Sequence, residues 1–293
     1  MTTRLTKQLV TVALGATFGL LGLASVNTTA HAASIAAIEK ADYVKTTRAM
    51  YTGQYTYVNG KKGHKIITPK GTILRTDGVG SERTSSGSIK YSINLSRGDL
   101  HYNSEKGIYE TGKPISFKAS DYKVYKLKMG VRTHLLQSGT GFTNDSTNDY
   151  KPMFHVTLDG YVEYYSAARL KHYKIQDPDQ STNLFDLPNG SNTSYAPAFI
   201  NRIKPTASVK VSTFKIKGNT AYLYYKKPIY GLTEKKVSSR YYRLTIKQTA
   251  AKISKTWTQK FASGDADYTT ASWARYSVGG HNYYDILSVE RGD

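Results

Sequence analysis

Alternation of apolar and polar residues at a period of two, cut into short runs by glycine turns, is the feature that most limits what this chain can fold into. Ile89, Tyr91, Ile93 and Leu95 alternate with Lys90, Ser92 and Asn94. Phe154, Val156 and Leu158 alternate with His155, Thr157 and Asp159, and Tyr242, Leu244 and Ile246 with Arg243, Thr245 and Lys247. Successive side chains of a strand point to opposite faces, so each run predicts a strand with one face in a core. Asn59-Gly60, Pro69-Lys70-Gly71, Asp77-Gly78, Arg97-Gly98, Asp159-Gly160, Gly218-Asn219 and Gly279-Gly280 separate such runs with turn-forming residues. Helical stretches are few: Ser166 to Lys171 predicts about a turn and a half, and Ala33 to Lys40 is helical or frayed. The expected class is all-β.

The turns recur. An alternating strand, a glycine turn and a tyrosine-bearing strand are read around Gly98, Gly160 and Gly279-Gly280, with a fourth copy near Gly218. The spacing is about sixty residues, as modular repetition would give. From Asp177 to Thr206 the chain turns polar, with Pro178, Pro188, Pro197 and Pro205. A stretch with so little to bury predicts a connector. A weaker boundary falls between Gly107 and Pro114.

The N-terminus carries its own signal. Arg4 and Lys7 precede an apolar run from Leu9 to Val26, and Ala30-His31-Ala32 follows. Charged segment, apolar segment and small-residue site, in that order, are the pattern of a cleaved secretory signal peptide covering residues 1–32, with a mature start at Ala33. Its removal takes away two basic residues and no acid, leaving 39 Lys and Arg against 21 Asp and Glu, a formal charge of +18. Such an excess attracts polyanions, and export points to wall polymers, anionic lipid or acidic glycan rather than nucleic acid. The chain has no cysteine, so its stability is expected from cores rather than disulfides, as the length of the mature chain allows. No second stretch of membrane-spanning length follows the leader, which predicts no integral membrane segment after cleavage.

Three segments of the first module carry a resemblance. They are Tyr43-Val44-Lys45-Thr46-Thr47-Arg48-Ala49-Met50-Tyr51-Thr52, Thr68-Pro69-Lys70-Gly71-Thr72-Ile73-Leu74, and the run from Ile89 to Tyr102. Their order resembles bacterial SH3-like wall-binding modules and the attachment repeats of lactobacillus surface proteins. The match covers residues 42–104, is partial over 115–173 where the Lys-Gly-Thr element is missing, and over 208–290 rests on the closing hairpin. The resemblance implies small β-barrels that hold secreted proteins on peptidoglycan or its attached polymers. The reading is therefore two or three SH3-like modules in tandem: residues 33–110, residues 113–176, a connector over 177–206, and a C-terminal β module over 207–293.

Aromatic and basic residues interleave in Tyr122-Lys123-Val124-Tyr125-Lys126, in Tyr222-Leu223-Tyr224-Tyr225-Lys226-Lys227 and in Arg240-Tyr241-Tyr242-Arg243. Tyrosine offers a sugar ring an apolar face and a hydroxyl, and lysine offers phosphate or carboxylate a point charge. Tyrosine is also an ordinary strand residue with one face in a core, but 25 Tyr against 8 Phe and 2 Trp points to rings that reach water. The expected polyanion or glycan contacts are Tyr122, Lys123, Lys126, Tyr222, Tyr224, Tyr225, Lys226, Lys227, Tyr241 and Arg243. Arg97-Gly98-Asp99, repeated at Arg291-Gly292-Asp293, is an adhesion triplet when displayed on a loop and an ordinary turn otherwise.

Catalytic patterns are weak. Ser120-x-x-Lys123 and Ser212-x-x-Lys215 have the spacing of penicillin-binding serine enzymes, but that motif needs a helix and both copies read as strand. The histidines lack metal spacing and the Asp pairs lack a full calcium loop, so no catalytic residue, metal or cofactor is expected. The function read from the sequence is an exported binding protein retained non-covalently on teichoic acid or peptidoglycan glycan at the cell surface. A secreted wall-directed hydrolase and an adhesin toward other cells stand as alternatives.

Overall fold

A computed structural model of the chain describes residues 34–58, 61–97, 100–110, 113–127, 131–132, 134–143, 150–173, 203–260 and 266–292. The signal-peptide reading over 1–32 lies outside the described residues. The described residues form an all-β fold with three short α-helices, and no described helix is long and apolar enough to cross a membrane.

The N-terminal strands are β1 (Tyr43–Thr46), β2 (Met50–Val58), β3 (Lys61–Thr68), β4 (Ile73–Arg83), β5 (Ile89–Ser96), β6 (Ile108–Glu110), β7 (Ile115–Ser116) and β8 (Tyr122–Val124). They form a five-stranded sheet in the order β7-β5-β4-β1-β8 and a three-stranded sheet in the order β3-β2-β6. Helix α1 (Ile35–Glu39) starts at Ser34, whose side chain accepts from the Ala37 N–H, and drops Ile38 into the core. That core joins Val44, Met50, Leu74, Ile93, Leu95, Phe117 and Tyr122. Tyr122 is fully buried with its ring edge toward Phe117. It sits opposite Thr46 on β1, and strand alternation turns Lys123 outward.

The remaining strands are β9 (Leu136–Ser138), β10 (Met153–Val156), β11 (Tyr161–Tyr165), β12 (Ala207–Lys217), β13 (Thr220–Tyr225), β14 (Lys235–Lys236), β15 (Tyr242–Lys260), β16 (Ala266–Val278) and β17 (His281–Gly292). Their order is β13-β12-β11-β10-β9-β17-β16-β15-β14, and β13 also pairs with β15. The pairing thus returns to its starting strand, leaving few open edges to recruit a foreign strand. One face of every strand in this circuit is apolar. Phe154 lies opposite Tyr164, Val162 opposite Val209, Leu223 opposite Leu244, and Ile246 opposite Val278. Together with Leu136, Tyr225, Tyr276 and Tyr283 these residues make the largest core. Helix α3 (Ala167–His172), whose N-terminus is capped by the Ser166 side chain, lays Leu170 against Met153, Tyr165 and Ile203 on the opposite face of β10–β11.

Three expectations are corrected. Residues 177–202 of the expected connector lie outside the described residues, but the strands it was expected to separate, β11 and β12, pair directly in one sheet, and Ile203 and Pro205 at its end are buried. Polar composition measures what a segment can bury itself, not whether the strands flanking it hydrogen-bond. The 113–176 module is also divided, since β8 adds to the N-terminal sheet whereas β9, β10 and β11 belong to the larger one. The hairpin expected around Gly98 is not formed. After β5, the chain makes helix α2 (Tyr102–Glu105), whose first N–H groups are taken by side chains from β11 and the turn before it. The turns at Gly160, Gly218 and Gly279-Gly280 do close hairpins, while Asp77-Gly78 is a bulge inside β4. Gly279 has φ +58° and a Cβ there would lie 1.9 Å from the Thr233 carbonyl oxygen, so this turn admits only glycine.

Candidate polyanion-binding face

The face of β12–β13–β15–β14 that points away from the core follows from the register. Tyr222 lies opposite Lys215 on one side and Thr245 on the other, and Tyr224 opposite Thr213 and Arg243. Arg243 pairs in turn with Lys235. Leu223 and Tyr225 point inward, so Lys215, Lys217, Tyr222, Tyr224, Arg243, Lys247 and Lys235 share the outward face. The four lysines are exposed and the two tyrosines half-buried. The Arg243 guanidinium lies 5.4 Å from the Tyr222 ring centroid. Beside them Lys210 stands 4.5 Å over the Tyr161 ring, and its Nζ also donates to the Asp159 carbonyl. Cations over rings hold their charge in a fixed place at low entropic cost and leave the ring edges to a ligand.

Charge is concentrated here. From Ala207 to Lys260 the chain has thirteen Lys and Arg and one acid, Glu234. That acid does not neutralise the face. It accepts from the Tyr225 hydroxyl and from the Ile229 N–H, and burial raises its pKa. Uncompensated like charges on adjacent strands repel, and a bound polyanion relieves that repulsion.

The expected contacts divide. Tyr222, Tyr224 and Arg243 meet on this face, Tyr241 is half-buried just before β15, and Lys226 and Lys227 are exposed just after β13. Tyr225 and Tyr122 are corrections, both fully buried, each with a hydroxyl whose pKa burial raises. Alternation sends every second residue of an outward strand into the core. Lys123 is exposed on β8 of the N-terminal sheet and Lys126 is exposed just after it, so neither lies on the β12–β13–β15–β14 strands. Lys210, Lys215, Lys217, Lys235 and Lys247 were not among the expected polyanion contacts. The period-two spacing of Lys215 and Lys217 and the scarcity of acids from 207 to 260 are the signals that point to them.

Arg97 is 7% exposed and its Nη2 donates to Thr68 Oγ1 at 2.6 Å. The side chain is therefore a core group and not the tip of an adhesion loop; Gly98 and Asp99, like Asp293, lie outside the described residues. Ser120 and Lys123 lie on a single 3-10 turn and β8, and Ser212 and Lys215 on β12, so neither pair shares a helix face.

A second polar constellation escaped the sequence reading. His101 Nδ1 is 2.5 Å from Asp159 Oδ2 and 3.0 Å from Ser104 Oγ, and its ring stacks on Tyr161. Serine, histidine and aspartate meet, but both partners contact the same ring nitrogen. A relay needs the acid on one nitrogen and the hydroxyl on the other, so this geometry cannot pass a proton from Ser104. Burial alone would raise the Asp159 pKa, but hydrogen bonds from His101 and Thr157 outweigh it and the net direction is down. Next to it, fully buried Glu163 accepts from the Tyr102 N–H at 2.8 Å and from Ser208 Oγ at 3.0 Å, with His155 Nε2 at 3.3 Å. These groups clamp α2 onto β10–β12. Among the described residues no three His, Asp or Glu side chains converge as metal ligands.

A histidine–carboxylate contact ties the approach to β9 to β17. His134 Nδ1 lies 2.6 Å from Asp285 Oδ2. Hydrogen bonding and charge from Asp285 outweigh burial and raise the His134 pKa. A raised histidine stabilises below its unfolded value, about 6.5, and that contribution is lost as pH rises through the folded value. Native protein should therefore melt above His134→Gln at about pH 5.5, with the difference closing toward about pH 9. A difference in melting temperature that stays constant across that range would show that His134 does not carry a titrating contribution.

Comparison with protein-family models, with curated proteins and with solved structures finds no match for this chain.

Proposed function

We propose that the chain is an exported, non-catalytic binding protein held at the cell surface by teichoic acid or by peptidoglycan glycan. The observation that carries this reading is the outward face of β12–β13–β15–β14, where exposed lysines and Arg243 flank Tyr222 and Tyr224 without an acid among them. Such a face offers point charges to repeating phosphates or carboxylates and ring edges to the sugars between them. Export is inferred from the leader pattern at residues 1–32. Residues 33–110, which carry β1–β6, are read as an SH3-like wall-binding module, on the resemblance over residues 42–104.

Purified walls, intact and stripped of their anionic polymers, should separate charge from sugar recognition. Intact walls are expected to retain the protein, and stripped walls to retain far less. Release should be steep in salt, because exposed charges are screened over about 8 Å at physiological ionic strength and about 3 Å at 1 M. Equal retention on both kinds of wall, with no response to salt, would overturn the reading.

A further inference from the structure

A second cation-and-ring surface lies on the N-terminal sheets. A cleft of about 490 Å³ is lined by Met50, Tyr51, Ile115 and Phe117 and rimmed by Arg48, Lys118 and Asp121. Arg48 is fixed rather than free: Nε is 2.7 Å from Asp121 Oδ1 and Nη2 is 2.9 Å from Asp121 Oδ2. The backbone beside it is pinned as well, since the Thr47 N–H donates to the Asp121 carbonyl at 2.9 Å. A guanidinium gripped along its Nε–Nη2 edge keeps the Nη1 donors for another acceptor. Asp121 holds its carboxyl below the ordinary range, first through the Arg48 hydrogen bond, with Lys118 adding its charge.

The cleft continues onto the β2–β3 hairpin. Tyr51 is one of its walls, with Lys65 Nζ 5.1 Å from the ring centroid. The Tyr51 ring meets Tyr55 edge-on at 5.4 Å, and Lys62 Nζ stands 3.7 Å over Tyr55. Lys61, Lys62, His64 and Lys65 are all exposed on β3. An apolar-walled cleft with a fixed Arg, followed by two lysines set on tyrosine rings, matches a ligand that alternates a ring with an anionic group.

We propose that this cleft is a second binding site, taking one unit of an anionic glycan. Its sugar lies against Tyr51, Ile115 and Phe117, its acid group on Arg48 Nη1 and Lys118, and the next charge of the polymer on Lys65 and Lys62. This rests on the polymer class argued above but on residues independent of the β12–β13–β15–β14 face. Two sites on one chain let a repeating polymer engage both, so avidity exceeds either single affinity.

The test uses the whole mature protein with two soluble probes, a hexose-phosphate oligomer and a glycan oligomer bearing muramic acid carboxylates. Methyl resonances of Ile115 and Met50 report on the cleft alone. They are expected to shift with at least one probe, and the probe that moves them identifies phosphate or carboxylate as the acid group recognised. The shifts should persist when Lys215, Lys217 and Lys247 are all changed to alanine. Lys65→Ala with Lys118→Ala should weaken them about tenfold or more, as two charge contacts near an anionic partner would. Both lysines lie outside the core, and an unchanged melting temperature verifies the fold. Methyl groups that stay still with both probes, while walls still retain the protein, would overturn the cleft and leave the outer face standing. Still methyls together with no retention would overturn both.

Discussion

Replacing Glu163 with alanine is expected to destabilise the protein by about 3–5 kcal/mol, the usual cost of removing one partner from a buried polar pair. For a chain of this size that is a fall in melting temperature of roughly 6–20 °C. Glu163 is fully buried, and its removal takes an acceptor from the Tyr102 N–H, Ser208 Oγ and His155 Nε2 at once. The Tyr102 N–H and the buried His155 ring lose an acceptor where water reaches poorly, which is why deletion costs more than the bonds themselves contribute, whereas the exposed Ser208 hydroxyl turns to solvent. The loss should be focused on α2 and the neighbouring His101–Asp159 contact, so amide exchange at residues 101–105 should speed up before that of β13 or β15. Glu163→Gln keeps the shape and the acceptor oxygen and should cost less than the alanine variant. A urea midpoint that moves by less than the error of the measurement in Glu163→Ala would mean that the junction is not held by this side chain.

Changing Lys215, Lys217 and Lys247 together to alanine is expected to weaken binding to isolated anionic wall polymer about a hundredfold at physiological salt. The figure follows from about 1 kcal/mol for each Lys near an anionic surface. The slope of log affinity against log salt should become shallower, because fewer counterions are released per molecule bound. All three side chains are exposed on the outward face, so the melting temperature should hold or rise as like-charge repulsion is removed. Titration calorimetry at two salt concentrations reads both quantities. Unchanged affinity would move the binding surface elsewhere on the molecule. The rings are tested separately. Tyr222 and Tyr224 are the outward pair, whereas Tyr225 is core and its replacement would report on stability instead.

Much of the strand content was legible because it depends on local pattern. The alternation at 89–95, 154–158 and 242–246 predicted β5, β10 and β15, and the glycine turns at 160, 218 and 279–280 predicted three hairpins. The short helix expected over 166–171 is present, and its Ser166 cap is a short-range interaction of the same local kind. The alternation at 154–158 also misled, since His155 and Thr157 are buried along with Phe154 and Val156. A polar residue on a strand predicts the solvent face only when nothing covers that face, and here α2 and α3 cover it.

The sequence by itself determined the class of structure, the surplus of positive charge and the absence of disulfides, because these are properties of composition and of neighbours two to four residues apart. Only the tertiary structure decided which tyrosines meet which cations. Tyr222 and Arg243 are twenty-one residues apart in the chain and touch through the pairing of β13 with β15. Tyr122 and Tyr225 look like Tyr222 in sequence and face the other way, because registry with β1 and β12 assigns each strand its inner side. The buried Arg97 and the Glu163 junction were likewise invisible beforehand, since each depends on partners 29 to 61 residues away. Pairing over such distances is chosen by the burial of whole faces at once, and no short window of residues records that choice.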